Sequence, residues 1–400
     1  MEERNNWIVN TRVLYDFISC IKLPQQPLSV EFTQTTVHQD YTDEISFQQI
    51  ACGLQYETKD DVSIYIIDVA LPSQPLKEEL KRYCKCLDYE GFPLPTNTQF
   101  PMYQCVAQIK LNDDVNRILS KNKDGNVLLA AKSTDVYLFN LNQLDYHQEV
   151  KNLEPVCTFT GHEDEGYGLS FNSNSTNLAS CSEDGLMFIY DLSKNEPVYN
   201  YKHSGGLNCI DYSKTNESNC FVATEDGHVL LVDTRQKTSH LKTRKVEGAE
   251  NSVSTTVHNP NVFASGSTKG EIHLWDQRNL SEPLHSISVH KGPIVRLHFN
   301  QLNKSLISSG SEDLTICILD LESAGKDVDS SEYDEEDEED DAPPELIFTH
   351  TGHQDKVYDF VWSKNQETEN LIASVGEDYS LQMWQMTSQL LEESSDFEMD

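Results

Sequence analysis

The 400-residue sequence predicts an all-β fold, a seven-bladed β-propeller, and three observations indicate it. One motif recurs, in which an apolar strand, a turn with an acidic residue and a second apolar strand lead to a closing pair, a hydrophobic residue followed by Asp, Asn or Gln. Successive pairs are 51, 42, 43, 44 and 65 residues apart, and the middle intervals match four-stranded propeller blades. Histidines precede several copies. The closing pairs are Phe139-Asn140, Tyr190-Asp191, Val232-Asp233, Trp275-Asp276, Leu319-Asp320 and Trp384-Gln385.

The first element is predicted to be a helix over residues 3–22. The apolar residues there have helical spacing, and they are Trp7, Val13, Leu14, Phe17, Ile18 and Ile21. We therefore assign residues 1–24 to an N-terminal helix that packs on the propeller and residues 25–388 to the propeller itself.

The segments "ISFQQIACGL" and "VSIYIIDVAL" follow the helix and are rich in strand-forming residues. They supply one degenerate blade in addition to the six motif copies. Seven blades can close into a ring, which leaves few exposed sheet edges.

The histidines before the motif copies complete a WD-repeat pattern at Gly161-His162, His203, His290 and Gly352-His353. In the last blade His353, Asp359, Ser374 and Trp384 resemble the buried hydrogen-bonded tetrad of WD repeats. This interpretation makes His353 a core residue rather than a catalyst.

An acidic insertion explains the 65-residue interval. It spans residues 324–342 and carries eleven carboxylates between Asp327 and Asp341 with no apolar run. Such a composition predicts little stable structure in isolation. The tail, residues 389–400, is acidic as well.

The formal net charge of −36 favours basic partners and argues against direct binding to nucleic acid. We expect no membrane span and no secretory signal, because no apolar run is long enough and the first residues lack a basic start. The ten cysteines are scattered without metal-ligand spacing, so reduced thiols and no metal site or cofactor are expected.

The sequence contains no phosphate-binding loop, zinc-protease motif or nucleophile elbow. Serine, histidine and aspartate residues are accounted for by the tetrads and turns. A binding module is therefore favoured over an enzyme, with no catalytic residue assigned.

Four stretches together resemble the retinoblastoma-associated histone-binding WD-repeat family, which includes the small subunit of chromatin assembly factor one and the subunit of type B histone acetyltransferase. They are "NNWIVNTRVLYDFI", "DDVNRILS", "GHEDEGYGLSF" and "DAPPELIFTHTGHQDKVYDFVW". The resemblance runs nearly the full length, although the family's Trp-Pro-Ser-Leu is replaced by Gln25-Gln26-Pro27-Leu28.

The resemblance implies a top face that holds the tail of histone three. Matching positions are Asp114, Asn116, Glu165, Tyr167 and Glu377. Glu165 would pair with a basic tail residue, while Glu163 and Asp164 would only add to the negative field. Two acidic positions of the family are replaced by Asn208 and Pro293, and Tyr379 stands where the family commonly has Asn, so the top face is expected to be weakened or retuned.

The resemblance also implies a side groove for the first helix of histone four. Val13, Leu14 and Ile18 match its apolar wall, and Glu338 and Asp341 match the acids that clamp a basic ligand residue. The alternative is that the apolar residues only dock the helix onto the propeller.

The predicted function is therefore that of a non-catalytic histone-binding subunit or chaperone in the nucleus, with the cytoplasm as a second location. It would link histones three and four to complexes for chromatin assembly, acetylation, deacetylation or Polycomb-type regulation. The alternative is an acidic WD-repeat factor of ribosome assembly that binds basic ribosomal proteins.

Overall fold

A computed structural model describes most of the chain. The described residues are 2–34, 45–58, 61–73, 76–77, 79, 81–85, 89–94, 101–144, 153–236, 240–325 and 342–391. Within them, thirty strands form seven antiparallel sheets arranged as the blades of a propeller. The prediction of a seven-bladed propeller is confirmed.

Blades 1 to 3 each contain four strands, which follow one another from the innermost strand outwards. Blade 1 contains β2 (Pro27–Gln34), β3 (Ile45–Leu54), β4 (Ile64–Pro72) and β7 (Tyr103–Ile109). Blade 2 contains β8 (Arg117–Lys123), β9 (Asn126–Lys132), β10 (Val136–Asn140) and β11 (Cys157–Phe159). Blade 3 contains β12 (Gly168–Phe171), β13 (Asn177–Cys181), β14 (Leu186–Asp191) and β15 (Glu196–Lys202).

Blades 4 to 6 repeat this order. Blade 4 contains β16 (Leu207–Tyr212), β17 (Asn219–Thr224), β18 (Val229–Asp233) and β19 (Leu241–Lys242). Blade 5 contains β20 (Glu250–Thr255), β21 (Val262–Ser267), β22 (Glu271–Asp276) and β23 (His285–Ser288). Blade 6 contains β24 (Ile294–Phe299), β25 (Leu306–Ser311), β26 (Ile316–Asp320) and β27 (Leu346–His350).

Blade 7 joins the two ends of the described chain. Its strands are β28 (Val357–Trp362), β29 (Leu371–Gly376), β30 (Ser380–Met386), β1 (Tyr15–Lys22), β6 (Glu90–Gly91) and β5 (Cys84–Lys85). Strand β1 pairs antiparallel with β30, so that Ile18 lies opposite Trp384. The innermost strands of neighbouring blades, including β28 and β2, contact each other around the whole ring.

The N-terminal helix α1 (Glu2–Leu14) is shorter than predicted, because residues from Tyr15 onward form β1. The apolar positions Phe17, Ile18 and Ile21 suit a helix, but they also suit a strand that is covered on both faces. Aromatic and β-branched side chains favour a strand, and pairing with β30 satisfies the backbone of this segment. Three short 3₁₀ helices complete the described elements, at Leu141–Gln143, Leu321–Ser323 and Gln366–Thr368.

Part of the predicted tetrad of blade 7 is present. His353 Nε2 and Trp384 Nε1 lie 2.8 and 3.1 Å from Ser374 Oγ, and all three side chains are buried. The carboxylate beside His353 belongs to Asp378, at 3.5 Å from Nδ1, and not to the predicted Asp359. The reason is position, since Asp378 lies in the β29–β30 turn next to His353 whereas Asp359 lies in β28.

Asp359 instead joins several blades at the central channel. Arg117 Nη1 and Arg296 Nε contact its two carboxylate oxygens at 2.6 and 3.0 Å, and Ser29 Oγ donates to it at 2.6 Å. Burial acts to raise the pKa of Asp359, but the two guanidiniums outweigh it and hold the pKa below its usual range. This buried ion cluster ties blades 1, 2, 6 and 7 together.

Blade 5 has a carboxyl group in its hydrogen-bonded core. Trp275 Nε1 donates to Ser265 Oγ at 2.9 Å, as in a tetrad, but Ser265 Oγ donates in turn to Glu250 Oε1 at 2.9 Å. The other oxygen, Oε2, has no hydrogen-bond partner among the described residues. Burial raises the pKa of Glu250 to about 8, so the group is mostly protonated at neutral pH.

The described part of the chain includes no helix that is both long and apolar enough to cross a membrane.

Candidate functional site

The innermost strands begin at one end of the channel, which we call the top face. Four of the five predicted tail-binding residues precede or begin β8 and β12 on this face. Asn116 Nδ2 donates to Glu165 Oε2 at 3.1 Å, which links blade 2 to the loop before blade 3. Asp114 Oδ1 accepts a hydrogen bond of 2.6 Å from Tyr56 N, which links blade 2 to blade 1. These side chains are therefore held in position by neighbouring blades.

Tyr167 lies among several carboxylates. Its side chain is 42% exposed, and burial together with the charges of Glu183, Glu165, Asp114 and Asp164 raises the pKa of its hydroxyl. An accessible aromatic ring surrounded by acids suits a cationic side chain, which can contact both the ring face and the carboxylates.

The acids of this cluster also repel one another. Burial and the charges of Asp164, Glu165 and Glu225 raise the pKa of Glu183. Like charges that are held together attract cations strongly, because a bound cation relieves their repulsion. The charge of Asp164 thus adds to the negative field of this cluster. The Glu163 backbone N–H donates to Asp184 Oδ2 at 2.9 Å.

Glu377, the fifth predicted residue, lies in the β29–β30 turn of blade 7. Burial and then the charge of Glu377 raise the pKa of Tyr358, whose hydroxyl accepts a 2.9 Å hydrogen bond from Gln26. Nearby, Lys356 forms a 2.8 Å ion pair with Glu312. Polar contacts therefore follow the rim through blades 7, 1, 2 and 3, but no contact within the described residues joins Glu377 directly to the Glu165 cluster.

The side of the molecule carries α1. Arg4 Nη1 donates to the Gly352 carbonyl at 2.7 Å, and its guanidinium lies 4.0 Å from the ring centre of Trp7. Trp7 Nε1 donates to the Tyr15 hydroxyl, which is 2.8 Å from His350 Nδ1. The helix is thus fixed on blades 6 and 7 by one face.

The opposite face of α1 is uncovered within the described residues and presents two valines beside polar residues such as Asn6. Val9 and Val13 lie one turn apart and are 66% and 64% exposed. Leu14 is only partly buried, at the edge of the core. Exposed valines on a docked helix provide one wall of a surface that an apolar ligand could cover.

Ile18 is not part of this wall, which corrects the prediction. It is 1% exposed and packs in the core of blade 7 because it belongs to β1 rather than to the helix. Val9, which was not predicted, takes its place beside Val13. Its spacing of four residues before Val13 was the available sequence signal.

The acidic end of the proposed groove lies outside the described residues, since Glu338 and Asp341 fall in 326–341. The chain is described again from residue 342. The Pro343 carbonyl accepts a 2.9 Å bond from Leu346 N, and the buried carboxylate of Glu345 lies 2.6 Å from His285 Nε2. The C-terminal side of the insertion is therefore anchored to blades 5 and 6.

Comparison with known proteins agrees with this architecture. The family "WD domain, G-beta repeat" matches residues 153–191, 281–320 and 344–385. "Histone acetyltransferase type B subunit 2" of Candida glabrata is 24% identical, and the match covers 97% of this chain and 89% of the relative. "WD-40 repeat-containing protein MSI3" of Arabidopsis thaliana is 26% identical, and the match covers 99% of this chain and 92% of the relative.

Over nearly its full length the chain is similar to these two proteins of the retinoblastoma-associated WD-repeat family. The resemblance inferred from the sequence is confirmed, and with it the WD-repeat character of the blades.

This chain departs at three top-face positions from the pattern of the family that it resembles. Asn208 Nδ2 donates to the Glu250 carbonyl at 2.9 Å, so its amide is engaged with the backbone. Pro293 adds no charge, and its carbonyl accepts from Glu312 N. Tyr379 has a φ of +61°, a conformation that Asn tolerates better than Tyr. That preference gives a physical reason for the Asn that the family commonly has there.

Metal-binding side chains do not cluster in the part of the chain that the structure describes, where no group of three or more such ligands occurs. The histidines with partners in the blades, such as His162 and His353, bond serines and aspartates of their own blade.

Proposed function

We propose that this chain is a non-catalytic, nuclear chromatin subunit that binds core histones three and four at two separate surfaces. The top face takes the basic tail of histone three, and the exposed face of α1 contributes to a site for the first helix of histone four. The names of the relatives support a subunit role, since one of them is a type B histone acetyltransferase subunit. The observation that carries the proposal is the prearranged acidic rim.

The rim suits a basic tail for three physical reasons. Its carboxylates are partly desolvated, and burial strengthens charge-assisted hydrogen bonds. Glu165 is oriented by Asn116, so little side-chain entropy is lost on binding. Tyr167 offers an exposed ring beside the acids, against which an Arg or Lys side chain can pack.

The top face is tested with a fluorescent peptide of the histone three tail. Glu165→Lys combined with Glu377→Lys should weaken binding by about tenfold or more at low ionic strength, since each reversal replaces attraction with repulsion. Glu282→Lys is the matched control, because Glu282 is 73% exposed on blade 5 away from the rim. Equal affinities for all three proteins would reject the top-face assignment.

The helix surface is tested with a peptide of the first helix of histone four. Val13→Asp should abolish measurable binding and leave the melting temperature unchanged, because the side chain is exposed. Val198→Asp is the control, since Val198 is exposed on β15 of blade 3. Loss of affinity in both variants would indicate nonspecific apolar contact.

The acidic insertion contributes to this second site through two separable effects. Deleting residues 327–337 removes negative charge and should lower the association rate and its salt dependence while most of the affinity is retained. Leu14→Asp combined with Asp341→Lys should instead remove the affinity. Equal losses from both constructs would make the insertion a general electrostatic tether.

The partners proposed beyond histones are the other subunits of chromatin-assembly or histone-modifying complexes. A negative charge of this size opposes direct binding to nucleic acid.

The same variants distinguish the ribosome-assembly alternative from histone binding. A basic ribosomal protein that binds more tightly than histones, and depends on Glu165 in the same way, would favour that alternative.

A further inference from the structure

The far end of the central channel carries a group of lysines, in contrast to the acidic top face. We call Lys121, Lys214 and Lys364 the lysine mouth. Lys121 lies near the end of β8, and Lys214 and Lys364 each lie two residues beyond the end of an innermost strand, β16 or β28. Five residues of extended chain separate Asn116 from Lys121, which places the mouth about 16 Å from the top-face cluster.

Two of the three ammonium groups are already paired. Lys214 Nζ contacts Asp211 Oδ1 at 2.7 Å, and Lys364 Nζ contacts Glu31 Oε1. Glu31 is itself held in the core, where Ser120 Oγ lies 3.3 Å from the same oxygen. These pairs fix the positions of two cations on opposite sides of the channel.

The ammonium group of Lys121 has neither a hydrogen bond nor an ion pair with any residue that the structure describes. Partial burial and the positive charges of Lys214 and Lys364 lower its pKa, while Glu31 offsets part of that repulsion. An ammonium group that is half-buried, repelled by two neighbours and without a close acceptor is relieved by a bound anion.

The positive character continues into the channel. Arg117 and Arg296 share the single carboxylate of Asp359. Burial and the positive charges of both arginines and of Lys214 lower the pKa of His298, which lies two residues after Arg296 in β24. Its Nε2 is buried without a hydrogen-bond partner among the described residues. In the part of the chain that the structure describes, these two arginines and the three lysines are accompanied by the carboxylates of Glu31, Asp211 and Asp359.

We propose that the lysine mouth is a binding site for a small phosphate-bearing anion, with Lys121 as its principal cation. Phosphate oxygens can accept hydrogen bonds from several ammonium groups at once. The site lies at the opposite end of the channel from the acidic rim, so it does not depend on histone binding.

A small anion fits this site better than a polymer. The lysines are confined to the ends of innermost strands. Farther out, Asp191, Asp233 and Asp276 end strands of blades 3 to 5, and each is paired with an exposed Lys or Arg. A nucleic acid would have to bind against the net charge of −36. A compact anion needs to meet only the lysines.

The test uses the full-length protein and two probes, inorganic phosphate and inositol hexakisphosphate, in isothermal titration calorimetry. Lys121→Gln should weaken binding by about tenfold, as expected for the loss of one charge-assisted hydrogen bond. Lys304→Gln makes the same charge change at an exposed lysine paired with Glu322, and its affinity should stay within about twofold of wild type.

Each outcome of the titrations either supports or overturns the anion site. Saturable binding of one equivalent that depends on Lys121 supports the site, and competition between the probes then shows whether free phosphate or a multiply phosphorylated molecule is preferred. Absence of saturable binding to the wild type, or equal weakening by Lys304→Gln, overturns the proposal. A duplex DNA oligonucleotide that binds through Lys121 more tightly than either probe also overturns it.

Discussion

Replacing Glu250 with Gln should make the propeller more stable, and the gain should grow with pH. Glu250 is 0% exposed, with one oxygen bonded to Ser265 and the other without a partner among the described residues. Gln has nearly the same shape and cannot ionise. The substitution therefore removes a titratable group from the core of blade 5 with little change in packing.

The size of the stability change follows from the shift in the pKa of Glu250, from 4.5 to about 8. Between these values the folded chain keeps a proton that the unfolded chain has released, so the free energy of unfolding falls as pH rises. The slope is about 1.4 kcal/mol per pH unit. From about pH 5.5 to 7.5 the wild type should thus lose roughly 2–3 kcal/mol that Glu250→Gln keeps.

Urea unfolding across this pH range measures the effect, with tryptophan fluorescence as the signal and equal m-values as the check on comparability. Glu282→Gln, at a highly exposed carboxylate, is the control and should follow the wild type. If wild type and Glu250→Gln lose stability in parallel with pH, Glu250 is ionised in the folded protein and the reasoning fails.

Three other substitutions test the framework. Trp384→Ala should cost about 3–5 kcal/mol, because it empties the core of blade 7, and a melting temperature equal to wild type would contradict the assigned tetrad. Asp359→Asn should cost a similar 3–5 kcal/mol by leaving the charges of Arg117 and Arg296 uncompensated, whereas an unchanged urea midpoint would exclude the buried ion cluster. Tyr379→Asn should stabilise the protein by up to about 1 kcal/mol, because Asn tolerates the positive φ, and calorimetry that shows a loss would refute this.

The blades could be predicted from the sequence because their signal is repeated. Each copy of the strand-turn-strand motif reinforces the others, and the period alone indicates the architecture. Residues 15–22 are not part of the repeat, so no other copy supports their assignment. The apolar spacing of these residues fits both a helix and a strand. Pairing with β30, which cannot be inferred from a local sequence pattern, selects the strand.

Only part of the candidate site could be predicted from the sequence, for similar reasons. Asp359 and Asp378 both follow His353 in the chain, and only the fold shows which of them lies in a channel-facing strand and which in the turn beside His353. The top-face residues came from the family resemblance, since spacing alone does not bring Asn116 to Glu165. Nothing in the sequence marks Glu250 as a buried acid, because its environment is built by strands distant in the chain.

The pairing of β1 with β30 has a consequence for biosynthesis. The ribosome makes β1 before the other described strands and β30 after them, so blade 7 is the last of the described sheets to be completed. At about 5–20 residues per second, β1 waits roughly 20–70 s for its partner. During that time Phe17 and Ile18 lack the strand that covers them in the folded blade, and uncovered apolar residues of this kind favour aggregation or chaperone capture. Since α1 is anchored to blades 6 and 7, its valine face becomes a defined surface only after the ring has closed. A ligand that recognises this face would therefore select finished molecules and ignore immature ones.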